Sequence, residues 1–187
     1  IDAAVLRITN ANYVHFDIMD GKFVKQKTFD YEVVKKTDLK GTGLEKDVHL
    51  MIKEPEKHIQ KYLKAGANMI SFHIEAVKNP KKLISTIQKK GVLAGIAIDP
   101  ETPIAKSEPY IELADYVLVM TAHPGKSGQK LLKSTITKVK RIRKKHPEKI
   151  IEVDCGLNDK NAGILIDAGA NILVSGSYIF NNPSPKL

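Results

Sequence analysis

Short apolar runs rich in β-branched residues alternate with longer amphipathic segments along the whole chain, and this alternation constrains the fold more than any other feature. Seven runs have strand character: Tyr13–Ile18, Asp47–Met51, Met69–His73, Leu93–Ile98, Tyr116–Met120, Ile150–Asp154 and Ile172–Ser175. Helix punctuation lies between them. Pro55 and Pro80 suit first turns, and Gly66, Gly91 and Gly169 suit the position just past a helix. A helix between successive short strands requires parallel pairing and right-handed crossovers. An internal echo points to one repeated βα unit. Ala65-Gly66-Ala67-Asn68 and Ala168-Gly169-Ala170-Asn171 each precede a strand, and Asn10-Ala11-Asn12 is a reduced version before the first.

An open doubly wound sheet can use seven strands, but no G-x-G-x-x-G follows an early one. A (β/α)8 TIM barrel needs eight. The segment Ala3 to Thr9 reads as the tail of a helix with nothing before it, and a final helix is expected where the chain stops, at Asn181–Leu187. The economical reading is α/β: a (β/α)8 barrel forming a single domain over residues 1–187, N-terminally incomplete, with its first strand absent from the sequence.

No apolar run approaches the ~18–20 residues of a membrane span, and no basic segment followed by an apolar one reads as a signal peptide. A single cysteine, Cys155, excludes an internal disulfide and fits a reducing cytoplasm, the expected location. The net charge of +9 raises the question of an anionic partner. The densest basic cluster, Lys138 to Lys149, carries Leu131, Leu132, Ile136, Val139 and Ile142 at helical spacing, so its charges read as a solvated helix face and not as a nucleic-acid patch. A small phosphorylated substrate would also benefit from a positive field.

In such a barrel, chemistry sits at the C-terminal ends of the strands. Side chains alternate faces along a strand, so His15, Asp17 and Met19 share one side of the first run. Alone, a His-x-Asp is more often an ordinary hydrogen-bonded pair. The second run repeats the pattern with Asp47, His49 and Met51, and a later run ends in Asp154. Two imidazoles and two carboxylates from three strand ends can converge on a divalent cation; the other reading is separate core polar groups, each bonded locally. The loop His123-Pro124-Gly125-Lys126-Ser127-Gly128-Gln129 lets backbone N–H groups approach an anion, and Ser175-Gly176-Ser177 ends the last run before a short helical turn.

These residues resemble the ribulose-phosphate 3-epimerase family over nearly all of the chain. The matching segments are His15-Phe16-Asp17-Ile18-Met19-Asp20-Gly21-Lys22-Phe23-Val24, Asp47-Val48-His49-Leu50-Met51 and His73-Ile74-Glu75-Ala76. Val119-Met120-Thr121, Pro124-Gly125 with Gly128-Gln129, Glu152-Val153-Asp154 and Gly176-Ser177 continue the match in order. The resemblance implies a (β/α)8 barrel, one bound divalent metal (Zn, Fe, Mn or Co) and interconversion of ribulose 5-phosphate and xylulose 5-phosphate, a pentose phosphate pathway step. Carried over by motif position, the metal ligands fall on His15, Asp17, His49 and Asp154, with Asp17 and Asp154 as the acid/base pair. Substrate and phosphate contacts fall on His49, Gly125, Lys126, Ser127, Gly128, Cys155, Gly156, Gly176 and Ser177, and the reaction-chamber wall on Met19, Met51 and Met120. A homo-oligomer is expected, with no nucleic-acid or membrane partner.

The chain departs from the family pattern at Lys126-Ser127, where Phe-Gly is usual, at Cys155, where a glycine is usual, and at Lys25-Gln26, where Pro-Asn is usual. Two alternatives stand beside this reading: a 3-epimerase of a six-carbon ketose phosphate such as allulose 6-phosphate, and a non-catalytic barrel that binds phosphate or nucleic acid.

Overall fold

The computed structural model describes residues 11–126 and 128–182. Seven strands form one parallel sheet in sequential order: β1 Tyr13–Met19, β2 Glu45–Met51, β3 Met69–His73, β4 Leu93–Ile98, β5 Tyr116–Met120, β6 Ile150–Asp154 and β7 Ile172–Leu173. The helices between and after them are α1 Tyr31–Lys36, α2 Ile59–Lys64, α3 Pro80–Gln88, α4 Ile104–Ile111, α5 Lys133–Lys145, α6 Ala162–Ala168 and α7 Ser177–Asn181. All seven expected strands are present. The last is shorter than the Ile172–Ser175 run, pairing with β6 only at Ile172 and Leu173. The expected helix tail at Ala3 to Thr9 lies outside the described residues, as do Ser127 and the end of the expected C-terminal segment.

The sheet curls. On a flat sheet β1 and β6 would stand roughly 24 Å apart, five strand spacings, yet His15 Nδ1 of β1 lies 3.6 Å from Glu152 Oε1 of β6. Tyr116 of β5 likewise reaches Asp47 of β2 across the interior, Oη to Oδ1 at 3.4 Å. This is the (β/α) barrel architecture with seven of its eight strands described; the eighth would lie in the flank between β7 and β1. The principal core fills the space between sheet and helices, where Phe16, Val48, Ile70, Ile96, Val117 and Val153 point outward onto Val34, Ile59, Ile84, Ile111, Ile142 and Leu165. The inner face is more polar. Asp47, His49, Ser71, His73, Glu152 and Asp154 are all buried there.

The Ala-Gly-Ala-Asn echo has a specific structural use. Gly66 (φ 80°) and Gly169 (φ 111°) take the left-handed conformation that ends α2 and α6. The asparagine that follows then starts the sheet. Asn68 exchanges backbone and side-chain hydrogen bonds with Lys46 at the foot of the neighbouring strand, donating N–H to its carbonyl (2.9 Å) and accepting its N–H on Oδ1 (2.8 Å). Asn171 does the same with Ile151 (2.7 and 2.9 Å). Asp115, which has no such motif before it, repeats the arrangement with Ala94 (2.8 and 2.7 Å).

One expectation from the basic cluster is corrected. Lys138 of α5 is not on a solvated face: its ammonium donates to the carbonyls of Asp99 (2.6 Å), Pro100 (2.9 Å) and Thr102 (2.8 Å), and only 9% of the residue is exposed. Arg143 and Lys149 also cap backbone carbonyls, those of Gly169 and Ala114. The reason is topological: long cationic stems on α5 and just past its end reach backbone carbonyls where helices and strands end.

Candidate active site

The strand register assembles the site. β1 pairs with β2 so that His15 faces Asp47, Asp17 faces His49 and Met19 faces Met51, while β5 and β6 place Met120 beside Asp154. All these side chains share the inner face at the C-terminal ends of their strands. Asp17 Oδ1 lies 3.1 Å from His49 Nδ1 and 3.4 Å from His15 Nε2. With Asp154 from across the curl, these residues each offer one ligand atom within 4.8 Å of the others. The His15, Asp17, His49 and Asp154 set read from three strand ends is thus brought together as one cluster.

The donor chemistry of this cluster fits a divalent cation. His15 Nε2 is buried without a hydrogen-bond partner, and two imidazole nitrogens face a single carboxylate oxygen. The four residues could hold a metal ion between them. The carboxylates differ in their electrostatics. Burial raises Asp17, but the imidazoles of His15 and His49 beside it outweigh burial and hold the carboxyl far below the usual range. Asp154 is pushed up to about 6 by burial and then by the negative charge of Asp17. Burial takes His49 down to about 4, so its ring is neutral near pH 7.

Several supporting groups carried no assignment at the level of the sequence. Asp47 binds His15 Nδ1 from below, which turns Nε2 towards the cluster. Glu152 lies beneath it, fully buried, and burial together with the charge of Asp47 raises its carboxyl well above the usual value. His73, at the end of β3, stacks on His49. The same period-two reading that selected His49 would have put Met69, Ser71 and His73 on the inner face.

The cluster opens into a cavity of about 1170 Å³. Its wall includes Met19, Met51 and Met120, and also Gly125, Lys126, Gly128, Cys155, Gly156, Gly176 and Ser177. His49 is fully buried and does not line it. The volume exceeds that of a small sugar phosphate because it continues along the flank between β1 and β7, past Val14 and Leu173. In the glycine-rich loop, Gly125 (φ 98°) has no room for a side chain, since a Cβ would stand 2.8 Å from Gln26 Oε1. Gln129 braces the loop by donating to the carbonyls of His123 (2.5 Å) and Lys126 (2.9 Å). Opposite it, Gly156 (φ 70°) takes a backbone conformation that Cys155 (φ 81°) adopts just before it, there with a side chain.

A curled parallel (β/α) sheet with a two-His, two-Asp cluster and glycine-rich loops at its strand C-termini defines a barrel of the enzyme type. The model of the ribulose-phosphate 3-epimerase family matches residues 2–180, and the chain belongs to that family. It is 40% identical over 178 residues to the ribulose-phosphate 3-epimerase of Schizosaccharomyces pombe, covering 94% of this chain and 78% of that protein. The Bacillus subtilis enzyme is 39% identical over 94% of this chain and 83% of its own length. The cytoplasmic isoform of Oryza sativa is 39% identical, covering 94% and 78%. Among solved structures, a 3-hexulose-6-phosphate synthase superposes with a TM-score of 0.69 at 15% identity, over 98% of this chain and 88% of that one. A mutant tryptophan synthase alpha-subunit from Pyrococcus furiosus gives 0.68 at 15%, over 94% and 79%, and both agree with the barrel fold.

Proposed function

We propose that the chain, as one barrel domain, catalyses the metal-dependent interconversion of ribulose 5-phosphate and xylulose 5-phosphate in the cytoplasm, as a homo-oligomer. The observation that carries the reading is the meeting of Asp17 from β1 and Asp154 from β6 around two imidazoles, in a cavity that also holds the glycine-rich loops. Inverting C3 of a 2-ketose means removing its proton on one face and returning a proton on the other. Two carboxylates on separate strands suit this, one ionised and one protonated. Asp17 is held as the ionised partner and Asp154, pushed up to about 6, is the readier of the two to take up a proton, and the roles exchange with the direction of reaction.

His15, Asp17, His49 and Asp154 would hold the cation, one of Zn, Fe, Mn or Co. It would supply charge stabilisation for the oxygens that become negative when C3 loses its proton. Met19, Met51 and Met120 present apolar, polarisable walls to the carbon skeleton. Backbone N–H groups around Gly125, Gly128, Gly156, Gly176 and Ser177, with the ammonium of Lys126 at the rim, receive the phosphate.

A coupled assay on ribulose 5-phosphate, with chelator and metal add-back, tests the activity. Asp17→Asn should abolish both turnover and solvent-deuterium incorporation at C3; wild-type turnover in that variant removes the proposal. A kcat/KM higher on allulose 6-phosphate than on ribulose 5-phosphate would transfer the same chemistry to the six-carbon substrate.

A further inference from the structure

His73 is a buried imidazole for which the acid/base and metal assignments have no use. It ends β3 in register with Ala97 and is wholly inaccessible to solvent. Its Nε2 lies 2.8 Å from His49 Nε2, with the two rings stacked at 4.9 Å. Its Nδ1 lies 2.9 Å from Asp99 Oδ1 and 3.6 Å from Glu75 Oε2. Phe23 covers the ring, centroid to centroid at 4.8 Å.

Both carboxylates are anchored. Glu75 Oε1 accepts the Thr102 hydroxyl and the Asp99 N–H. The loop Asp99–Thr102 is itself pinned by the Lys138 ammonium through its three carbonyl contacts. A chain of fixed groups therefore runs from α5 through the β4–α4 loop and His73 to His49.

For neutral rings, proton counting along that chain leaves two assignments, each with one pair of acceptors face to face: His73 Nδ1 against Asp99 Oδ1, or His49 Nδ1 against Asp17 Oδ1. Two carboxylates crowd His73 Nδ1, against one at His49 Nδ1, and their combined charge favours the proton on His73 Nδ1 and leaves its Nε2 as an acceptor. At 2.8 Å the facing His49 Nε2 must then donate. His49 is left with its lone pair on Nδ1, the atom 3.1 Å from Asp17 Oδ1. Two acceptors facing each other at that distance call for a cation between them.

We propose that His73, braced by Asp99 and Glu75, is a positioning residue that fixes His49 in its Nε2–H tautomer and so presents the Nδ1 lone pair to the cation site. This rests on the metal reading of the cluster. It adds a specific requirement: a second imidazole, not a ligand, decides whether His49 can be one.

Two measurements on the full chain test it. Long-range ¹H–¹⁵N correlation spectra of metal-free wild type near neutral pH should show His49 protonated on Nε2; protonation on Nδ1 overturns the proposal. Calorimetric titration with Mn²⁺ alone then compares wild type with His73→Leu and His73→Gln. The leucine cannot accept the His49 proton and should weaken Mn²⁺ by about 10- to 100-fold, whereas the glutamine offers a carbonyl oxygen and should stay within about threefold of wild type. Equal affinity in wild type and His73→Leu overturns the positioning role. A wild type that binds no Mn²⁺ overturns the underlying metal reading instead. Should His73→Leu fail to fold, the wild-type spectrum and the glutamine variant still decide the matter.

Discussion

Cys155 is a side chain in a place built for none. Its φ of 81° is in the left-handed region, where a Cβ crowds the following carbonyl at a cost of roughly 1–2 kcal/mol. It is held there because its N–H donates to Asp154 Oδ1 at 2.6 Å, and because the chain must turn sharply between the cluster and Gly156. Replacing it by glycine removes the crowding but loosens the unfolded chain, so Cys155→Gly should gain about 1 kcal/mol net. Urea unfolding monitored by circular dichroism should show a higher midpoint with an unchanged slope. The departure from glycine was visible in the sequence; that it falls on a left-handed residue was not, because φ is set by the turn. Asp154 itself gives a second prediction at this scale. Its carboxyl is buried and raised to about 6 in the folded state, so ionising it costs stability. The folded state binds more protons than the unfolded one between about pH 4 and pH 6, so stability from this group falls as pH rises through that window and stays low above it. In chelator-treated protein, Asp154→Asn should therefore be more stable than wild type at pH 8, on the order of 2–3 kcal/mol, with the difference vanishing towards pH 4. A thermal melt at the two pH values reads it.

Between strands, small residues carry the packing. Gly95 of β4 faces the interior beside Tyr116 of β5, and a Cβ there would stand 2.2 Å from the phenol Cζ. The Tyr116 ring lies across the barrel interior with its hydroxyl at Asp47, so it cannot swing away. Gly95→Ala should destabilise by about 1–3 kcal/mol through overpacking, and Tyr116→Leu in the same chain should relieve much of that penalty. Stability measured on both single variants and the double variant gives the coupling. The strands and the helix ends marked by Pro80, Gly66 and Gly169 were legible, because apolar runs and Gly/Pro punctuation are local signals, whereas Pro55 opens a separate 3-10 turn before α2. The strand-foot asparagines were legible only as a repeat, and their equivalent Asp115 not at all: a carboxylate and an amide accept the same backbone N–H, but the letters differ. Lys138 was misread for a related reason. Its position on α5 is local, whereas the three carbonyls it binds come from residues about forty positions earlier, brought there by the crossover.

Across the whole molecule, a cation shared by the proposed ligands would act as a fastening. His15 and Asp17 lie on β1, His49 on β2 and Asp154 on β6, so a ligand common to them ties the first strand of the sheet to the sixth. The ladder runs β1 to β7 without a pairing between β7 and β1 among the described residues, so across the interior the curl is held by side-chain contacts such as His15 with Glu152 and Tyr116 with Asp47. This convergence of distant strands was legible in outline, from three strand ends with matching chemistry, but the distances that make it a site come from the curl. A cation that binds the folded cluster and not the open chain stabilises by mass action, about 2.7 kcal/mol at a hundredfold excess over Kd. For a domain of this size each kcal/mol moves Tm by roughly 2–4 °C. Chelation followed by dialysis should then lower Tm by about 5–10 °C, and Mn²⁺ or Zn²⁺ should restore it. Asp17→Asn removes the carboxylate that both imidazoles face, so its melt should respond to neither chelator nor metal. If the cluster were only a set of bonded polar groups, wild type and the variant would melt alike in chelator and in metal; a metal-dependent shift confined to wild type is the signature of a cation that spans the curl.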